Sequence, residues 1–139
     1  MGRILAIDYG LKRVGLAVTD PMQIIATALD TVHSKDVLAY IQEYCQKEPV
    51  DVLVVGMPTR LDTSPTDATQ HVVGFVRKLE KQFPDKKVVT VDERFTSKMA
   101  FQTMIDAGLK KKARADKATV DRVSATIILQ SYLESRQYL

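Results

Sequence analysis

Residues 3–19 read Arg3-Ile4-Leu5-Ala6-Ile7-Asp8-Tyr9-Gly10-Leu11-Lys12-Arg13-Val14-Gly15-Leu16-Ala17-Val18-Thr19. Two apolar runs of strand length are separated by a short polar, glycine-bearing turn. The first run, residues 3–8, ends on an acid, Asp8. The second, residues 14–19, is predicted to return beside it. Residues 23–32 carry Ile24, Ile25, Thr27, Leu29, Thr31 and Val32, which favours a third strand. Three strands with short links predict an antiparallel meander.

Beyond residue 33 the period changes from two to that of a helix. Ser34 is expected to cap a helix whose apolar stripe is Val37, Leu38, Ile41, Tyr44 and Cys45, with Pro49 ending it. Val50-Asp51-Val52-Leu53-Val54-Val55-Gly56 is nearly continuous in apolar residues, the pattern of a parallel strand covered on both faces. A second helix is predicted from the stripe Val72, Phe75, Val76, Leu79 and Phe83. A strand then runs through Val88-Val89-Thr90-Val91 to Asp92-Glu93-Arg94. Thr96 or Ser97 is expected to start a short helix through Ile105, and a last helix spans about 118–136. Two strands that each follow a helical crossover extend the meander into a mixed five-stranded sheet with helices on both faces. The expected fold class is thus α/β, with residues 1–139 forming one domain.

The 139 residues are 45% hydrophobic and 27% charged, an ordinary globular balance. No run approaches the roughly 20 apolar residues of a membrane span, and the start lacks the pattern of a signal peptide. The expected compartment is therefore the cytoplasm. The single cysteine, Cys45, excludes an internal disulfide and a cysteine zinc cluster; its place on the helical stripe predicts a buried structural thiol. His33 and His71 stand alone and receive no catalytic role. A net charge of +3 is compatible with a polyanionic partner. Nothing in the sequence fixes an oligomeric state.

Acids at apolar positions carry the chemistry, because carboxylates are seldom buried without a partner. Asp8 closes the first strand, and Asp92 and Glu93 close the last. Asp121 heads a helix face that continues through Ala125, Ile128 and Tyr132, so it is expected to point at the sheet. If the strands of Asp8 and Glu93 are neighbours and the last helix crosses them, the carboxylates converge beyond the carboxyl edge. Such a cluster repels itself unless hard divalent cations neutralise it, and oxygen-only ligands select Mg²⁺ or Mn²⁺. A pair of such ions would clamp a phosphodiester for in-line hydrolysis without a protein nucleophile.

Asp8-Tyr9-Gly10-Leu11-Lys12-Arg13-Val14-Gly15, Val55-Gly56-Met57-Pro58, Asp92-Glu93-Arg94-Phe95-Thr96-Ser97 and Lys117-Ala118-Thr119-Val120-Asp121-Arg122-Val123-Ser124-Ala125 together resemble the YqgF family. Its members are also called RuvX or pre-16S rRNA nucleases, and the resemblance covers the whole chain in order. It implies an RNase H-like fold related to the RuvC Holliday-junction resolvases. It also implies a metal-dependent endonuclease acting on the 5′ end of precursor 16S rRNA in ribosome biogenesis. Carried over by position, the catalytic and metal-binding acids are Asp8, Glu93 and Asp121. Only the resemblance selects Glu93 over Asp92.

Nucleic acid is the expected partner. Lys12 and Arg13, between Gly10 and Gly15, are expected to contact phosphates that the glycines let approach the backbone. Arg94 would neutralise the scissile phosphate or hold Glu93. Lys110, Lys111, Lys112, Arg114 and Lys117 would draw the strand to the mouth of the site in a salt-dependent way. Tyr9 would stack on a base or pack at the strand end. Competing readings are a junction-cutting DNase on branched DNA, a binder of structured nucleic acid that does not cut, and an ATP-binding module. The last needs a second domain and a phosphate loop that 139 residues do not supply.

Overall fold

The computed structural model describes residues 2–57, 67–92, 102, 105 and 116–136. Its elements are β1 (Arg3–Tyr9), β2 (Arg13–Thr19), β3 (Ala26–His33), α1 (Val37–Lys47), β4 (Val50–Met57), α2 (Asp67–Gln82), β5 (Lys87–Asp92) and α3 (Lys117–Arg136). The strands form one sheet in the order β3-β2-β1-β4-β5. β1 pairs antiparallel with β2, and β2 with β3. β4 lies parallel to β1, and β5 parallel to β4. The mixed sheet expected from the pattern is therefore present, as are helices on both of its faces.

β1 sits at the centre and is apolar on both sides. Leu5 and Ile7 face α1 and α2, packing with Val14, Leu16, Ile41, Leu53, Phe75 and Leu79. Ile4 and Ala6 face α3, packing with Ala17, Val54, Ala125, Ile128 and Leu129. All four β1 side chains are fully buried, and each large one stabilises the fold by roughly 1.5–3 kcal/mol.

The two cores differ in grain. Toward α1 and α2 the sheet presents Leu, Ile, Val and Phe. Toward α3 the β1–β2 hairpin presents Ala6 opposite Ala17, then Asp8 opposite Gly15. Small side chains let α3 descend close to the hairpin. At Gly15 nothing separates them: a Cβ there would overlap the carbonyl oxygen of Asp121.

Several local expectations are corrected. α1 begins at Val37 with Asp36 in the cap position and no side-chain cap bond; the Ser34 hydroxyl instead donates to the Leu11 carbonyl across 2.5 Å. β3 begins at Ala26 rather than 23. The Asp20 carboxylate accepts the amides of Met22, Ile24 and Ile25, which turns that stretch into a loop. Gln23 takes a left-handed φ of 59° there, and Met22, Ile24 and Ile25 are exposed. Cys45 is half-buried rather than buried, and burial raises its thiol pKa. The helix expected from Thr96 or Ser97 lies outside the described residues, apart from Gln102 and Ile105.

The Gly15 contact makes a direct prediction. Gly15→Ala should lower the unfolding free energy by about 2–3 kcal/mol, the cost of overpacking a seam whose neighbour is backbone. Urea denaturation followed by circular dichroism measures it, and a loss below about 0.5 kcal/mol would mean that α3 has room to rise.

Candidate active site

The hairpin and α3 together build a cleft of about 350 Å³ lined by Asp8, Tyr9, Gly10, Leu11, Lys12, Arg13 and Asp121. Strand alternation decides which side chains enter it. Ile4, Ala6 and Asp8 share one face of β1, and Arg13, Gly15 and Ala17 share the same face of β2. Asp8 therefore continues the row of small, buried residues beneath α3, one step past the point where packing gives way to solvent.

Asp121 is brought to this point by the face that the sequence predicts. Ala125, Ile128 and Tyr132 on that face are all buried against the sheet. Gly15 admits the Asp121 backbone, so this turn of the helix rests on β2 directly beside Asp8. Asp8 and Asp121 are thus brought together.

Glu93 lies outside the described residues, as do Arg94, Lys110, Lys111, Lys112, Arg114 and the loop after Pro58. The condition that the strand of Asp8 neighbours the strand leading to Glu93 is not met: β4 lies between β1 and β5. At the carboxyl edge that intervening strand carries Gly56, paired with Val91. Val89 and Val91 pack into the α3 core and Val88 into the opposite one. Asp92, exposed at the strand end, is therefore in phase with the α1–α2 face and not with Asp8.

Arg13 makes an ion pair in the cleft. Its Nε donates to Asp121 Oδ2 across 2.8 Å, with the side chains 45% and 19% exposed respectively. The turn that presents Arg13 is held in place. The Ser34 amide donates to the Lys12 carbonyl across 3.1 Å, and Gly10 packs so tightly that a Cβ would lie 2.6 Å from the Arg13 carbonyl. Lys12 and Leu11 are exposed at the rim. Lys117, also exposed, lies one helical turn before Asp121 and on the same side of α3.

One expectation about this turn changes. Gly15 serves helix packing, not the approach of a phosphate. Of the two readings of Tyr9 the packing one holds: it turns to the other face and stacks on Phe75 with ring centroids 4.3 Å apart. His33 and His71 are exposed.

One residue of the site is not singled out by the sequence pattern. Asp116 starts α3: its carboxylate accepts the Thr119 hydroxyl across 2.7 Å and the amides of Ala118 and Thr119. The signal is an Asp three residues before a Thr at a helix start, hidden inside a run dominated by positive charge. The Thr31 hydroxyl donates to the Ala118 carbonyl across 2.7 Å, tying the same turn to β3.

As donors, Asp8 and Asp121 offer hard, anionic oxygens on an open cleft, which suits Mg²⁺ or Mn²⁺ and not a soft metal. The Arg13 pairing shows that Asp121 takes a cationic partner here. Among the described residues no three acidic, histidine or cysteine side chains group as a metal site.

The match to known proteins is extensive. Residues 2–135 fit the family model described as "RuvX: Holliday junction resolvase". A protein of Phocaeicola vulgatus, named "Putative pre-16S rRNA nuclease", is 54% identical over the full length of both chains. One of the same name from Flavobacterium psychrophilum is 54% identical over 96% of this chain and 97% of its own. The fold superposes on T. thermophilus RuvC in complex with a Holliday junction substrate with a TM-score of 0.61 at 15% identity, covering 99% of this chain and 97% of that one. At that identity the likeness concerns the fold, which is the RNase H-like arrangement expected from the sequence.

Two outcomes follow from this geometry. Arg13→Ala should change stability by less than about 1 kcal/mol, because a partly exposed ion pair contributes little; a larger loss in thermal unfolding would make the pair structural. The Thr119 hydroxyl and the two amides hold the Asp116 carboxyl below its ordinary 3.8. A lowered folded value gives stability that is present above 3.8 and lost as pH falls through the folded value. Helix content should therefore fall with acid less in Asp116→Ala than in wild type, as circular dichroism between about pH 5 and pH 2 would show.

Proposed function

The chain belongs to the RuvX family, and on that premise we propose that it is a metal-dependent endonuclease that hydrolyses phosphodiesters of precursor 16S rRNA in ribosome biogenesis. The observation that carries this reading is the seating of α3 on Gly15, which places Asp121 beside Asp8 at the mouth of a cleft carrying Arg13. A protein that only bound polyanions would gain nothing from two carboxylates gathered where the phosphate must lie. The names of the Phocaeicola and Flavobacterium relatives support the rRNA substrate, and such a substrate places the reaction in the cytoplasm.

The proposed acids are Asp8, Asp121 and Glu93. Glu93 is chosen over Asp92 on the family resemblance, and Asp92 falls in phase with the α1–α2 face and not with Asp8. These carboxylates would hold the divalent ions. When bound, such ions supply a water acidic enough to attack phosphorus and positive charge for the leaving oxygen.

The chain's own residues do the rest. Asp8 is fixed on a buried strand and Asp121 on a helix locked by its contact with β2, so both anions are positioned before substrate arrives. Arg13 and Lys12, on a turn braced by Ser34, would grip the phosphates flanking the scissile bond. Lys117, with Lys110, Lys111, Lys112 and Arg114 upstream of it, would attract the strand without reading its sequence. Arg94, next to Glu93 in the sequence, would neutralise the scissile phosphate or hold Glu93.

The family model's description favours a second substrate, a four-way DNA junction. Wild type, Asp8→Asn and Asp121→Asn, each incubated with a labelled precursor 16S leader and with a junction, distinguish the readings. Cleavage of the leader with Mg²⁺ or Mn²⁺, none with EDTA, and a loss of more than about 100-fold in either variant (~2.7 kcal/mol of barrier) are expected. Preference for the junction would move the substrate to DNA; full activity of the variants would refute the carboxylate mechanism.

A further inference from the structure

We propose that Arg13 and a divalent cation compete for the same carboxylate, so that metal enters this site fully only when a phosphate draws Arg13 away from Asp121. The proposal rests on reading Asp121 as a metal ligand. It adds a role for Arg13 that neither cleft geometry nor phosphate binding requires.

The argument begins with the pair itself. Arg13 Nε and Asp121 Oδ2 are 2.8 Å apart, a full charge-assisted hydrogen bond. A carboxylate oxygen held in this way is not free to a cation, and a guanidinium at that distance repels any second positive charge brought to the same group. Yet the pair is easily opened. The Arg13 side chain is nearly half exposed, so it leaves into water at small cost. The incoming cation takes over neutralising the more buried Asp121 carboxylate, and β2 has no side chain at Gly15 to wedge Arg13 in place.

Arg13 also has somewhere to go. It stands on the cleft wall with Lys12 and the Gly10 turn, where a bound strand would present phosphates. A phosphate can take the guanidinium in a bidentate fork, whereas Arg13 meets Asp121 through an Nε–Oδ2 bond. Metal and nucleic acid thus assist each other through Arg13, and linkage makes the assistance reciprocal. Without nucleic acid, the ion pair keeps the carboxylate neutralised and the affinity for metal low.

Mn²⁺ titrations of the full chain, followed calorimetrically without nucleic acid, test this. Arg13→Gln should bind Mn²⁺ roughly 3- to 5-fold more tightly than wild type, the effect of an opposing ion pair of partly exposed groups. Lys12→Gln removes the same charge from the same cleft and should stay within about 1.5-fold of wild type, because Lys12 is not bonded to the carboxylate. In wild type, the Arg13 Nε–H resonance should move on addition of Mg²⁺, and in Asp121→Asn it should start at the displaced position. Wild-type affinity in Arg13→Gln, with binding lost in Asp121→Asn, would overturn the competition while leaving the metal site standing. An equal gain in Lys12→Gln would reduce the effect to bulk charge and also overturn it. Undiminished Mn²⁺ binding in Asp121→Asn would refute the metal-ligand reading beneath it.

Discussion

At Gly15 the backbone of a strand and the backbone of a helix touch with no side chain between them, and the geometry of the cleft follows from that contact. A helix packed on a sheet through leucines or valines rides high, and a carboxylate on its underside would reach only the side chains below it. Here Ala6, Ala17 and Gly15 thin the layer, and Asp121 arrives level with Asp8. The opposite face, filled by Leu, Ile, Val and Phe, carries the bulk of the apolar burial and frees this face to be thin. The division of labour is between a core that stabilises and a seam that positions.

The thin seam creates an electrostatic problem that Arg13 solves. Two carboxylates brought together at the edge of an apolar layer raise each other's energy, and the fold has no buried cation to offset it among the described residues. A guanidinium supplied from the neighbouring strand does so at the solvent boundary, where the cost of desolvation is small. Placing the neutralising group on a turn tied to Ser34, and not on the helix, keeps it independent of the carboxylate it serves.

Much of this is legible in the order of the residues alone. The alternation in residues 3–19 foretells the hairpin, and the spacing Asp121, Ala125, Ile128, Tyr132 foretells which way the acid points, because both are local periodicities with one physical reading. What stays illegible depends on partners distant in sequence. Ser34 has the chemistry of a helix cap but spends its hydroxyl on Leu11. The stretch at Ile24 and Ile25 has strand propensity, yet Asp20 captures its amides. Gly15 resembles a phosphate-approach glycine because nothing local marks where a helix will land. The strand order, with β4 between β1 and β5, likewise follows from crossovers that residue patterns do not number.

The bond between Arg13 and Asp121 spans 108 residues of sequence. A contact of such range is costly in loop closure and forms late, after the local hairpin and helices. During synthesis from the amino end, the hairpin that holds Asp8 is made long before α3 exists. The two halves of the cleft therefore belong to different moments in the life of the chain. A nascent or truncated form would carry a bare glycine where the helix should rest, and the cleft would be completed only once α3 docks.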